Sequence, residues 1–229
     1  MWNRKELKDK AKALLRGNYW RIVLVSLVML LITGGTSAAS LGNSLNSSAQ
    51  HMDGIAGWIL MIIAAVLAAS AVAGLVIKIF LLNPLKVSCI RYLVENHKAP
   101  ASLNELGYGF SQNYLNVVKT MFFQDLHIFL WSLLFVVPGV IKSYSYRMVP
   151  YLLAENADIP SKEALDTSRE LMDGSKANAF VLDLSFIGWY LLSSLTFGIL
   201  SVFYVNPYKN LTDCELYYAL KEQPVIVNG

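Results

Sequence analysis

Between Ile55 and Ile77 the chain runs for 23 residues without a charged side chain. At 1.5 Å per residue a helix of that length is about 34 Å long, enough to cross a hydrocarbon core of about 30 Å with some tilt. Few other folds can absorb such a stretch, so the chain is read first as a membrane protein. Composition agrees: 55% of its 229 residues are hydrophobic and only 15% charged, against roughly 45–50% and 25% in soluble domains. This excludes a disordered chain and argues against an ordinary soluble one. Within the stretch Ala65, Ala69 and Ala73 recur every four residues beside Ser70 and Gly74, giving one face small enough for a second helix to approach closely.

The charge is placed unevenly. Met1 to Arg21 holds seven Lys or Arg and two acidic residues, a local charge of +5, while the formal charge of the whole chain is only +3. Asn3 is placed to cap a helix with Glu6 at its third position, and Leu7, Ala11, Leu14 and Leu15 form one apolar side. The spacing predicts a basic amphipathic helix over residues 1–18, lying on anionic lipid headgroups. Lys5, Lys8, Lys12 and Arg16, with Trp20 and Arg21 at the start of the apolar run that follows, are its candidate membrane anchors. A basic region, an apolar run and Ser37-Ala38-Ala39 also fit a secretory signal peptide; the length of the charged leader and the Tyr19-Trp20 pair favour a retained anchor. Residues 33–54, rich in Gly, Ser, Asn and Ala and without Lys or Arg, read as an outer loop.

Beyond the uncharged stretch, Asn83-Pro84 is expected to break or kink the helix, and Lys86, Arg91 and Lys98 place the next segment on the inner side. Pro100 to Asn113 reads as a loop with a short interfacial turn. A third apolar block, Val117 to Val137, contains Lys119, Gln124, Asp125 and His127 and meets Pro138-Gly139, which predicts a turn or sharp kink. Val140 to Ala154 is short and carries Lys142 and Arg147, so it reads as the return of a short hairpin or an inner extension. Asp158 to Met172 is an amphipathic helix with Ser161 as candidate cap. Ala177 to Val205 is longer than one span needs, and Gly188 and Thr196-Phe197-Gly198 divide it. Asn206-Pro207 opens a Tyr-rich interfacial tail over residues 206–229. No period of 20 to 50 residues repeats convincingly. The expected architecture is all-α, one polytopic integral membrane helical bundle over 1–229 with about six membrane segments and both termini cytoplasmic; four full spans with re-entrant or interfacial helices is the alternative.

Ionisable residues inside apolar segments cost about 2.5–3.5 kcal/mol each at mid-helix and are therefore candidate functional groups. Asp183 is the foremost, with Lys142 or Arg147 as its partner; a plain capping or pairing role near the inner headgroups is the alternative. Asp125 and His127 point about 200° apart on a helix, which argues against a shared proton relay; Lys119 or Arg147 would pair with Asp125. Lys78 is placed to snorkel to the inner interface. The three histidines lie apart and the two cysteines, Cys89 and Cys214, form no CxxC pair, so neither a metal site nor a disulfide framework is expected. No nucleophile elbow, phosphate loop or dinucleotide fingerprint occurs, so no cofactor is expected. The basic leader alternates with leucines beside a span, which favours membrane over nucleic acid.

Four separated motifs have a familiar look: Met1 to Lys8 with Gly17-Asn18-Tyr19-Trp20; Pro138 to Tyr146 followed by Pro150-Tyr151; Leu182 to Trp189; and Asn206-Pro207-Tyr208 before Tyr217-Tyr218. In this order, over nearly the whole chain, they resemble an uncharacterised family of bacterial multi-pass membrane proteins catalogued as domain of unknown function nine-seven-five. The resemblance implies an integral protein of the cell membrane with both ends cytoplasmic, no assigned activity and no catalytic residues to carry over. The long Ser/Asn/Ala outer loop departs from it and puts a shared outer ligand in doubt. The expected function is non-enzymatic, a small transporter or an accessory or regulatory subunit with a protein partner or a second copy of itself. The alternative is an intramembrane enzyme acting on lipid, with Asp125 or Asp183 as acid or base.

Overall fold

Proline at the start of a helix organises much of this structure, a computed structural model that describes residues 2–34 and 55–222. The outer loop, the Ser37-Ala38-Ala39 site and the end of the tail lie outside the described residues. Among those residues every regular element is helical. The uncharged stretch forms α3 (Ile55–Ile77), preceded by α1 (Arg4–Gly17) and α2 (Tyr19–Gly34). It does not stop at Asn83-Pro84. A wider π turn over Lys78–Leu82 carries the chain into α4 (Asn83–Lys98), where Asn83 and Pro84 occupy the first turn. Proline fits there because the wider π turn shifts the hydrogen-bond register, the Asn83 N–H reaching back five residues to the Lys78 carbonyl. The carbonyl four residues upstream of Pro84, that of Phe80, loses its α-helical donor and accepts the Tyr114 hydroxyl at 2.6 Å instead.

The remaining elements are a 3-10 turn (Leu103–Gly107), α5 (Tyr108–Ser111), α6 (Tyr114–Leu134), α7 (Val136–Ser145), α8 (Val149–Glu155), α9 (Ser161–Leu171), α10 (Lys176–Leu184), α11 (Ile187–Leu195), a second π turn (Ser201–Val205) and α12 (Asn206–Lys221). The hairpin between α6 and α7 turns at Phe135, not at Pro138-Gly139. Phe135 is extended, and Pro138 and Gly139 lie in the first turn of α7. Gly139 is needed there because a Cβ would sit 2.2 Å from Ser132 Oγ and 2.7 Å from its Cα. Nor does Ser161 cap α9: its hydroxyl meets that of Thr120 at 2.8 Å. The 177–205 block breaks at Ser185–Phe186 and again at Thr196–Gly198, where Phe197 and Gly198 take φ of 51° and 83°.

The same joint recurs. Phe203-Tyr204-Val205-Asn206-Pro207-Tyr208-Lys209 matches Phe80-Leu81-Leu82-Asn83-Pro84-Leu85-Lys86, each with a π turn before its Asn, and the Phe203 carbonyl accepts the Tyr19 hydroxyl at 2.9 Å. Aligning Gly17 with Gly174 likewise pairs Leu7, Ala11, Leu14 and Leu15 of α1 with Ala164, Ser168, Leu171 and Met172 at the end of α9, the inward positions of both helices. A third proline, Pro150, opens α8. The chain is thus three successive units, each an amphipathic or short helical segment, an apolar hairpin and a proline-started helix. No fixed period reveals this, because α2 and α3 lie far apart in sequence and α7 and α8 are short.

The core lies where α1, α4, α8, α9 and α12 meet, around the fully buried Tyr92, Tyr208, Tyr217, Leu93, Met148 and Leu153. The apolar side of α1 packs on α12, with Leu7, Ala11 and Leu15 buried. It is therefore not free to enter a bilayer, as a surface-lying helix would require. Among the described residues three helices are long and apolar enough to cross a membrane: Trp58–Lys98, Tyr114–Leu134 and Lys176–Leu195. The bent pair of Arg4–Gly17 and Tyr19–Leu30, meeting at 111°, would make a fourth if counted as one span. Of the apolar window of Trp58–Lys98 only 6% is buried within the protein, so its surface is left for lipid or another chain.

Candidate functional site

Four charged side chains from three segments converge beside the α7 hairpin leg. Arg147, in the turn between α7 and α8, gives two hydrogen bonds to Asp183 of α10, at 2.9 and 3.0 Å, and a third to Asp213 of α12 at 2.7 Å. Lys209, one turn before Asp213 on α12, bridges the same two carboxylates, 3.0 Å from Asp183 and closer still to Asp213. Tyr144 donates its hydroxyl to Asp183 at 2.7 Å. Two cations and two anions leave the quartet neutral. Burial alone would lower the Arg147 pKa, but Asp213 and Asp183 outweigh it and raise it further, so the guanidinium is a fixed cation. The proline joint places Lys209 and Asp213 here: α12 starts at Asn206-Pro207, and positions four and eight of a helix share one face. Phe186 forms a wall, with Lys209 Nζ 5.6 Å and Lys8 Nζ 4.5 Å from its ring centre, and Lys8 also donates to Ser185 at 2.6 Å.

Of the residues singled out from sequence, Asp183 and Arg147 are thus brought together. Lys142 is not; its ammonium lies 5.0 Å from the Trp131 ring centre and 5.9 Å from that of Tyr146, with no carboxylate partner among the described residues. Nor does Asp125 meet Lys119 or Arg147. It pairs with Lys78 at 3.0 Å and accepts from Asn83 Nδ2 at 3.2 Å, pinning the first proline joint to α6. Both partners are about a third exposed, so this pair is worth at most about 1 kcal/mol. Lys78 therefore has a protein partner. Lys5, Lys12, Arg16, Trp20 and Arg21 all stay exposed, Trp20 at 71%, and Arg21 also donates to the Ala101 carbonyl at 3.3 Å. Lys209, Asp213 and Tyr144 were missed by sequence reasoning, which followed charges inside apolar blocks; the signal was the i, i+4 pair Lys209 and Asp213 just after Asn206-Pro207.

Over the described residues the helices and this charge cluster define an all-helical protein with three apolar helices of membrane-spanning length. Residues 133–224 match the model of a family described as "Protein of unknown function (DUF975)", the family that the motifs resemble. The matched stretch holds three of the four motifs and the whole quartet; the opening motif at Met1 to Trp20 lies before it. No curated protein and no solved structure matches the chain.

Proposed function

We propose that this chain is a non-enzymatic multi-pass protein of the bacterial cell membrane, acting as an accessory or regulatory subunit, with the quartet as the lock that holds its hairpins to the body. The observation that carries this reading is the saturation of Asp183: its two oxygens take two bonds from Arg147, one from Tyr144 and a close ammonium from Lys209. A general acid or base needs a free position aimed at substrate, and a transport site needs a group that can exchange partners. Asp183 has neither. α7, ten residues long, spans about 15 Å and is too short to cross, so it is a short return for α6; the third hairpin pairs α10 and α11 with a helical return that runs through the second π turn into α12. The expected six segments are these legs together with α2 and α3. Because α1, α4, α8, α9 and α12 form one packed body carrying Lys86, Arg91 and Lys98, both termini belong on the cytoplasmic side.

The test is reconstitution of the full chain into vesicles of phosphatidylglycerol and phosphatidylethanolamine, following phospholipid turnover and solute efflux. The expected result is neither, for the wild type and for Asp183→Asn alike. Lipid hydrolysis, headgroup exchange or efflux that Asp183→Asn abolishes would overturn the reading.

A further inference from the structure

A cleft of about 500 Å³ lies between α6 and α9, lined by none of the quartet residues. Phe123, His127 and Tyr146 line it together with the cations Lys119, Lys162 and Arg169 and one carboxylate, Asp166. Arg169 is tied to Asp166, 2.6 Å away. Lys119 and Lys162 have no carboxylate partner among the described residues, and Lys119 lies 6.0 Å from the Phe123 ring centre. His127 Nδ1 is 2.7 Å from the Phe123 carbonyl, which places the proton on Nδ1 and leaves Nε2 without a protein partner among the described residues. Lys142 Nζ, 5.9 Å from the Tyr146 ring centre and 5.0 Å from that of Trp131, adds another cation without a carboxylate partner among the described residues. Beyond His127, α6 is apolar except for Ser132. Phe129 is 61%, Leu130 53% and Leu133 74% exposed along the outer half of α6.

We propose that this cleft binds the phosphate headgroup of an anionic phospholipid, whose acyl chains lie along Phe129, Leu130 and Leu133. Unpaired lysines around an aromatic-walled cleft suit a phosphate oxyanion, and an apolar strip directly above them suits the attached chains. A free phosphate ion would use only the lower part. The proposal rests on the reading of the chain as a membrane protein, so integration is measured first, by resistance of the full chain to alkaline extraction from membranes.

The binding test uses the purified full chain in neutral detergent, titrated separately with short-chain phosphatidylglycerol, short-chain phosphatidylcholine and inorganic phosphate and read by native mass spectrometry. Phosphatidylglycerol is expected to bind at least about tenfold more tightly than either of the others, and Lys119→Gln with Lys162→Gln to weaken it about tenfold or more. Both lysines are exposed, so the double variant keeps the fold. Lys10→Gln with Lys176→Gln, which removes the same charge elsewhere, is expected to change binding less than twofold. Equal binding of phosphatidylcholine, equal binding of inorganic phosphate, or an unchanged double variant would each overturn the proposal. An integrated protein that fails this titration loses only the cleft; a chain extracted by alkali loses the membrane reading itself.

Discussion

Arg147→Met removes the cation shared by both carboxylates of the quartet and leaves Lys209 alone with two anions. Three charge-assisted hydrogen bonds go with it. Stripping one partner from a fully buried pair costs about 3–5 kcal/mol. Here the side chains of Arg147, Asp213 and Asp183 keep 15%, 17% and 30% exposure, so solvent takes part of the unpaired charge and the expected loss is about 3 kcal/mol. Asp183→Asn keeps an acceptor for Tyr144 but leaves the group at +1, for a loss of about 2 kcal/mol. The double variant is neutral again, with the Lys209 and Asp213 pair intact, and is expected to lose about 3 kcal/mol, not the sum of about 5. The assay is unfolding in mixed micelles at rising SDS fraction, followed by the fluorescence of the five tryptophans. A coupling of about 2 kcal/mol is expected. Losses that add within about 0.5 kcal/mol would refute the quartet as a cooperative unit.

Three further outcomes follow from the joints. Gly139→Ala should cost about 1–3 kcal/mol in the same assay, because the new Cβ meets the Ser132 backbone at 2.7 Å; Gly188→Ala, with nothing within 4 Å, should cost nothing. Tyr114→Phe should cost about 1 kcal/mol by leaving the Phe80 carbonyl without its hydroxyl, and clearly less in a Pro84→Ala background, where residue 84 again has an N–H to give; equal losses in both backgrounds would show that the hydroxyl does not answer the proline. Glu155 accepts from Tyr217 and pairs with Lys221. Burial would raise its pKa, but these bonds prevail and hold it below the ordinary 4.5. A depressed carboxylate stabilises the fold above its unfolded pKa, so stability should fall as pH drops from about 4.5 through the folded value. Glu155→Gln should flatten that limb of the pH profile measured between neutrality and pH 3.

Local signals carried much of the architecture. An unbroken apolar run has only one regular way to satisfy its backbone in lipid, so Ile55–Ile77 was legible to the residue. Asn3 and the Leu7, Ala11, Leu15 side similarly placed α1. What lies against what was not legible. The apolar side of α1 could equally have faced lipid, and its burial on α12 is decided by contacts between residues some 200 positions apart in sequence. Pro138-Gly139 misled because Pro and Gly signal turns by their backbone preferences, whereas here Gly139 is required by the close approach of Ser132.

The repeated joint accounts for how the candidate site was half visible. Asn83-Pro84 and Asn206-Pro207 each set a lysine two residues on, Lys86 and Lys209, but only the second helix adds an aspartate one turn later. At the position of Asp213, α4 carries the buried Ile90. One joint of the same design therefore supplies core, and the other supplies a carboxylate that captures Arg147 from the second unit, which in turn captures Asp183 from the third. The quartet is a contact between units. Lys209 and Asp213 are one turn apart, but Arg147 lies 36 residues from Asp183 and 66 from Asp213, so no local pattern could join the three segments, although each residue had a local reason to be where it is.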